Sequence, residues 1–365
     1  MKTLVVSSSP HITSNRTTKG IMLDVVIALV PAMIAALFLY GFYSWFLIAL
    51  SVGSCVLAEF LFNKITKSEQ TISDCSAVVT GVILALNLPP VVPFFVPIVG
   101  GFFAIMLVKM LFGGIGKNFA NPAMTARIFL LLAWTSWMTK FVPPIDLSKG
   151  FGEMWKYFQC IFGNTDMIVT GATPMAGLFP SPNEFNPAYA ESVLANTNVL
   201  DMFLGRTGGS MGEVSALALL IGGVYLIIRR VIDWKIPTIY IGSVAIFTFF
   251  VQLGRCQGDA ALAAAYILPS IFGGGLMLGA FFMATDYASS PNTKAGVIIY
   301  ALGLGLLTTL FRVYGSMPEG VSFAILFMNV VTPLLDKFIK PRPFGYVKPV
   351  KEKKSKKAET AKEGK

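Results

Sequence analysis

Residues 21–40 read Ile-Met-Leu-Asp-Val-Val-Ile-Ala-Leu-Val-Pro-Ala-Met-Ile-Ala-Ala-Leu-Phe-Leu-Tyr, with a single charge at Asp24. A helix of that length rises about 30 Å, the thickness of a bilayer's hydrocarbon core. Apolar side chains stand all around it, so its natural solvent is lipid and not one face of a soluble core. Comparable runs follow at 42–62, 76–90, 92–112, 121–139, 213–230, 236–253, 260–283, 295–312 and 319–336. The expected fold class is an all-α membrane protein of about ten transmembrane helices.

Composition agrees. The 365 residues are 55% hydrophobic and 13% charged, with mean hydropathy +0.69. A soluble domain carries about twice that share of charge. The net charge of +10 sits mostly in one place: residues 337–365 hold eleven Lys/Arg and three Asp/Glu, leaving 18 and 16 for the rest. That basic tail has almost no apolar residue and is expected to be disordered. Basic stripes with interleaved aromatics are absent elsewhere, which argues against nucleic-acid binding. Cys55, Cys75, Cys160 and Cys256 form no CxxC pair, and His11 is the only histidine, so no metal site is expected in this chain. The polar N-terminus does not read as a cleaved signal, so the first span is expected to remain as an anchor.

Charge between the spans sets orientation. With the N-terminus inside, inner segments carry Arg16, Lys19, Lys64, Lys67, Lys117, Arg229, Arg230, Lys235, Lys294 and the tail, while short outer connections carry Arg255 and Arg312. Both termini are then cytoplasmic. The expected organisation is a cytoplasmic N-terminus over 1–20, a first membrane half over 21–139, an extracytoplasmic loop over 140–212, a second membrane half over 213–336 and the tail over 337–365. Five spans on each side of the loop make any internal repeat an inverted one. The third span stops at Leu86-Asn87-Leu88-Pro89-Pro90, and the eighth is interrupted at Pro269 and Gly273-Gly274-Gly275. Broken helices in corresponding positions point to a midplane site. Against a strict repeat, Asn121-Pro122 and Ser290-Pro291 both open helices on the inner side.

The long loop is the first place to look for chemistry, since loops beyond about 15 residues are usually functional or disordered. It contains Asp166-Met-Ile-Val-Thr170-Gly171-Ala172-Thr173-Pro174. Small neighbours leave the second hydroxyl uncrowded, so Thr173 is expected to be accessible to a modifying enzyme. Asn121-Pro122 is a good N-cap and N1 pair, and Ser290-Pro291 is expected to open the ninth helix similarly. The free N–H groups there either face a flavin, quinone-like group or anion, or are plain caps. Gly113-Gly114-Ile115-Gly116 follows no strand, which weighs against a nucleotide fingerprint. Among ionisable residues near the spans, Glu59 and Asp286 are the candidates for an ion path, and Arg127 is the clear buried base.

Together with Ser9-Pro10-His11-Ile12, Val79-Thr80-Gly81 through Pro90, Gly113 through Arg127, and Met283-Ala-Thr-Asp286-Tyr-Ala-Ser-Ser290-Pro, these motifs carry a resemblance. From about residue 9 to 343 the chain resembles RnfD, a membrane component of the Rnf complex. RnfD is related in turn to NqrB of the sodium-pumping NADH:quinone reductase. The resemblance implies FMN joined by its phosphate to the Thr173 hydroxyl within the Thr170-Gly171-Ala172-Thr173 motif, attached by a separate flavin transferase. Three residues separate Asp166 from the motif where the related pattern usually has two, so Asp166 carries over less well. The resemblance also implies that the broken-helix core holds either the ion path or a second, non-covalent flavin, for which Asn121 and Arg127 are candidates.

The function so implied is that of a component in an electron-driven ion pump of a bacterial or archaeal cell membrane. Rnf complexes move electrons between ferredoxin and NAD and couple this to Na⁺ or H⁺ transport. Partners would include a flavoprotein subunit on the outer face, iron–sulfur subunits and other membrane subunits. No catalytic residue is assigned. An NqrB-like role is disfavoured because that relative has a longer extension before its first span. A small-solute channel or secondary transporter explains the broken spans equally well, but neither it nor a purely structural subunit has a use for the Thr-Gly-Ala-Thr loop.

Overall fold

The structure, a computed structural model, describes residues 16–162, 171, 173–180, 187–213, 215–315 and 320–339. His11, Asp166, Thr170, Ala172 and all but the first three residues of the tail lie outside the described residues. Among the described residues the regular elements are helices, and the one strand-like feature is an isolated bridge between Phe141 and Gly171.

In chain order the helices are α1 (Thr18–Tyr40), α2 (Phe42–Thr66), α3 (Ser76–Leu86), α4 (Phe95–Phe102) and α5 (Pro122–Ala133). A short α6 (Thr135–Met138) follows, and the long loop holds α7 (Pro174–Leu178), α8 (Pro187–Asn196) and α9 (Val199–Leu204). Then come α10 (Ala216–Ile228), α11 (Lys235–Arg255), α12 (Ala260–Ala265), α13 (Ile267–Phe272), α14 (Leu276–Leu278), α15 (Lys294–Tyr314) and α16 (Val321–Phe338). Two π-helical stretches prolong α4 over Phe103–Met110 and α14 over Gly279–Met283.

By length and composition α1, α2, α11, α15 and α16 are able to cross a bilayer. The pair Ala260–Phe272 and Leu276–Met283 makes a sixth, bent by 59° at its glycines. The remaining four stretches, in α3, α4 with its π extension, α5 and α10, are apolar but short. The expected bounds of 76–90, 121–139 and 213–230 were therefore too generous. The reasons lie in the backbone. Leu86 and Leu88 turn their carbonyls to Gly212 N (2.6 Å) and Met211 N (3.0 Å), which ends α3 and delays the start of α10. Trp134 leaves helical geometry (φ −134°, ψ 56°) and ends α5. Ser290-Pro291 does not open α15: Thr293 caps it, its hydroxyl accepting from Gly296 N at 3.1 Å.

The apolar segments alternate in direction between two ends of the bundle. α1 begins, α2 ends, α3 and α5 begin and α10 ends at one of them, here the Thr18 end. The outward faces remain apolar, as Ile27, Ile34 and Phe38 on α1 and Ile246 and Phe250 on α11 are exposed. Inward faces use small residues to bring backbones close, the habit of helices that pack in lipid. A Cβ at Gly222 of α10 would collide with the Ala28 carbonyl of α1. At the opposite end the loop packs down on the helices: Tyr40 donates to Gly209 O (3.1 Å), Ile145 N to Leu39 O (2.8 Å) and Phe94 N to Ile161 O (3.1 Å).

Candidate functional site

At the Thr18 end, a cavity of about 300 Å³ opens between α1, α3, α5, α10 and the π stretch of α14. Its walls bring together Ser76, Val79 and Thr80, then Ile115, Gly116 and Asn118, then Asn121 to Ala123, then Thr285 to Ala288. These come from three separate motifs of the sequence, and they meet here because their helices start or stop at this end. Ile21, Val25, Ile83, Leu226, Phe281 and Phe282 supply apolar walls. The volume reaches the lower bound of small-molecule sites, about 300–1,000 Å³. Asn118 Oδ1 is buried without a hydrogen-bond partner, so the cavity offers one acceptor that a ligand N–H would satisfy.

Lys109, a residue the sequence reading missed, also lines this cavity, from the π stretch of α4. It is 2% exposed and donates to Glu59 Oε2 and Ser76 Oγ, both at 2.7 Å. Thr71 donates to the other oxygen of Glu59, and Asn63 Nδ2 donates to Thr71 Oγ1 at 3.2 Å. Glu59 is thus no bare ion-path carboxylate. It is fully buried and already carries a cation in the form of an ammonium group. The signal was available, because Lys109 stands alone in Phe-Ala-Ile-Met-Leu-Val-Lys-Met.

Asp286 lies past the π stretch and not within a helix. Burial raises its carboxyl above the ordinary carboxylate range, against the lowering effect of hydrogen bonds from Ala288 N and Ser289 Oγ. It faces the cavity but is not brought to Glu59, so the two candidates do not form one site. Asn121 caps α5, its Oδ1 accepting from Ala123 N (3.1 Å) and Met124 N (3.4 Å) while Nδ2 donates to Met283 O (3.4 Å). One side chain therefore fastens two motifs together at the cavity wall. Arg127, by contrast, points away from the cavity and donates to Ser322 Oγ on α16.

Arg127 is not the single buried base that the sequence suggested. Arg312 is 1% exposed within α15, not in an outer connection. Its guanidinium donates to the carbonyls of Ser270 (2.6 Å), Gly273 (3.0 Å) and Gly274 (3.2 Å). These are carbonyls freed by the bend, and a fixed planar cation satisfies several at once.

Thr173 lies at the opposite end, on the loop side of that bend. It precedes α7 in extended geometry (φ −65°, ψ 152°), and its hydroxyl makes no capping bond. The expectation of an accessible turn fails: Thr173 is 4% exposed, enclosed by Met202, Thr207 to Gly209, Phe272 and Gly273. The space beside it is only about 10 Å³, enough for one water. The hydroxyl is free to carry an ester, but a flavin ring does not fit next to it in this arrangement. Gly171 pairs with Phe141, its N–H donating at 3.0 Å.

All four cysteines are free thiols, and Cys55, Cys160 and Cys256 are buried. No group of three or more metal-ligating residues occurs among the described residues.

Residues 5–345 match the NQR2, RnfD, RnfE family. The chain is 44% identical to the D component of the Na⁺-translocating ferredoxin:NAD⁺ oxidoreductase complex of Acetobacterium woodii, over 96% of this chain and 98% of that one. It is 36% identical to the D component of the proton-translocating complex of Clostridium ljungdahlii, over 93% and 96%. It is 34% identical to the D component of an ion-translocating oxidoreductase complex of Actinobacillus succinogenes, over 93% and 98%.

Proposed function

The chain belongs to the NQR2, RnfD, RnfE family, as the RnfD component of an ion-translocating ferredoxin:NAD oxidoreductase, and from that premise we propose that it is the complex's membrane electron relay. The observation that carries this reading is the convergence of three distant motifs and a buried ammonium on one apolar cavity. A solute path would not need so apolar a chamber.

The cavity is the place for the non-covalent flavin. Its apolar walls suit a flat ring, Asn118 Oδ1 suits an N–H at the ring's edge, and Lys109 suits an oxygen that gains negative charge. When bound, the flavin supplies one-electron redox chemistry, while the chain excludes water and fixes charge around it. Asn121 serves as a positioning residue by holding the wall, and Arg127 has no part in it.

Thr173 is the proposed attachment point of FMN through a phosphoester. Its unused hydroxyl supports this, and the closed wall around it requires that the segment through α7 be held differently once esterified. No transfer step is derived through that group.

The ten apolar segments are proposed to span the membrane, the four short ones and the bent one forming the interior of two inverted halves. The charge bias puts the Thr18 end and both termini in the cytoplasm of a bacterial or archaeal cell and residues 140–212 outside. Partners are then a flavoprotein subunit on the outer face, iron–sulfur subunits and the flavin transferase. Na⁺ and H⁺ both remain candidates, since relatives named for each are similar to this chain.

The test separates the two flavins. Purified complex is denatured, and its flavin is divided into an extractable fraction and one that stays fluorescent on the polypeptide in a gel. The proposal expects both, with the gel signal lost in Thr173→Ala and the extractable signal retained. Absence of any extractable flavin from the complex contradicts the cavity assignment.

A further inference from the structure

Glu59 does not touch the cavity; Lys109 stands between them. Across the cavity wall the order is cavity, Lys109 Nζ, Glu59, Thr71 Oγ1 and Asn63, and beyond Thr71 lies the exposed turn Lys67–Gln70. The ammonium therefore has two available counter-ions, the carboxylate behind it and whatever negative charge arises in the cavity before it. It lies on a π-helical turn, where the extra residue breaks regular backbone bonding and commonly marks a functional position.

We infer that Lys109 is the charge-coupling residue of this chain, exchanging its counter-ion between Glu59 and the reduced cavity ligand so that Glu59 takes up a small monovalent cation. This rests on the assignment of a redox ligand to the cavity. The balance is simple. A one-electron donor of the complex is oxidised, the cavity ligand gains one negative charge, and Lys109 turns its ammonium toward that charge. Glu59 is then a buried anion without a counter-ion, which a low-dielectric interior does not tolerate. One cation from the Thr18 end enters past Asn63 and Thr71 and neutralises it. Oxidation of the ligand returns Lys109 to Glu59 and expels the cation. No bond other than hydrogen bonds and ion pairs is made or broken.

Glu59 offers a cation oxygen ligands in its own carboxylate and the Thr71 hydroxyl, which suit Na⁺ and H⁺ alike. The groups facing Glu59 are Lys109, Thr71 and, one turn earlier on α2, Cys55. Asp286 and Tyr287 are the other ionisable groups on the cavity wall.

The test uses the whole complex with its extractable flavin and follows that flavin's midpoint potential spectroscopically. Na⁺ is varied at fixed pH, and pH is varied at fixed Na⁺. Uptake of one cation per electron predicts a slope of about 59 mV per tenfold change in one of the two series. The variant is the charge-balanced pair Glu59→Gln with Lys109→Met, chosen because removing one partner alone leaves a buried charge that threatens folding. The slope is expected to vanish in the pair; because Lys109 also faces the ligand, the wild-type slope of one cation per electron carries the test where the pair holds its flavin weakly. A slope unchanged in the pair, or absent from the wild type, overturns the inference and leaves the cavity assignment standing. A complex without extractable flavin overturns both.

Discussion

Glu59 and Lys109 are 0% and 2% exposed, and each is tolerable inside a membrane protein only because of the other. Breaking such a pair from one side costs about 3–5 kcal/mol, whereas replacing both partners by uncharged groups is often neutral. Lys109→Met alone should therefore lower the thermal unfolding midpoint of the complex strongly, and the double replacement with Glu59→Gln should recover most of the loss. Equal midpoints for the single and double variants would show that the pair is not coupled. Cys160 allows a second residue-scale test. Burial pushes its thiol up to about 11, above the ordinary value near 8.5. The folded state thus holds the proton more tightly than the unfolded one, a contribution complete below the unfolded value and lost as pH rises through the folded one. Cys160 should resist alkylation at pH 8 in the native protein and react there once denatured.

At this scale the sequence spoke unevenly. Asn121 was legible as a cap because an Asn-Pro pair before an apolar run has few other uses, and its side-chain amide does cap α5. Glu59 was legible as a buried acid, but its partner lies 50 positions away on another helix, and no spacing rule joins the two. Arg312 was counted as a loop charge because it stands near a span's end. Its partners are carbonyls of the bend, which only tertiary structure brings to it.

At the scale of elements, the broken helix is the most constrained piece. Gly274 and Gly275 have φ +65° and +68°, a region that costs other residues roughly 1–2 kcal/mol. A Cβ at Gly274 would also stand 2.6 Å from Arg312 Nη2, while at Gly275 it meets open space. Gly274→Ala should accordingly destabilise more than Gly275→Ala in matched thermal melts, and equal effects would argue against the Arg312 contact. The break was readable from Pro269 and the glycine run, since both remove what a continuous helix needs. The exact lengths of α3, α5 and α10 were not. α3 stops, and α10 starts late, where Leu86 and Leu88 find backbone partners at Gly212 and Met211, while α5 stops where Trp134 leaves helical geometry, and hydropathy carries no trace of either.

For the whole molecule, an apolar exterior around a tightly packed interior organises everything else. Ten apolar stretches, their punctuation and the uneven loop charges were visible in the sequence because lipid imposes composition directly. Which motifs share a wall was not visible, since three segments between Ser76 and Ala288 meet only when the helices are bundled. The loop was wrongly expected to present Thr173 openly. It folds instead onto the helix ends through Tyr40, Ile145 and Phe94, and closes over the hydroxyl. A chain esterified there must differ locally from this one, so limited proteolysis of the segment around α7 should be faster in the flavinylated protein than in Thr173→Ala.

A membrane electron relay tethered at one hydroxyl is tested most directly by the intact mass of the purified chain. Wild-type protein from a host that has the flavin transferase should be heavier by one FMN phosphoester, and Thr173→Ala from the same host should carry none. An unmodified wild-type chain, or an FMN adduct that persists in Thr173→Ala, would contradict it.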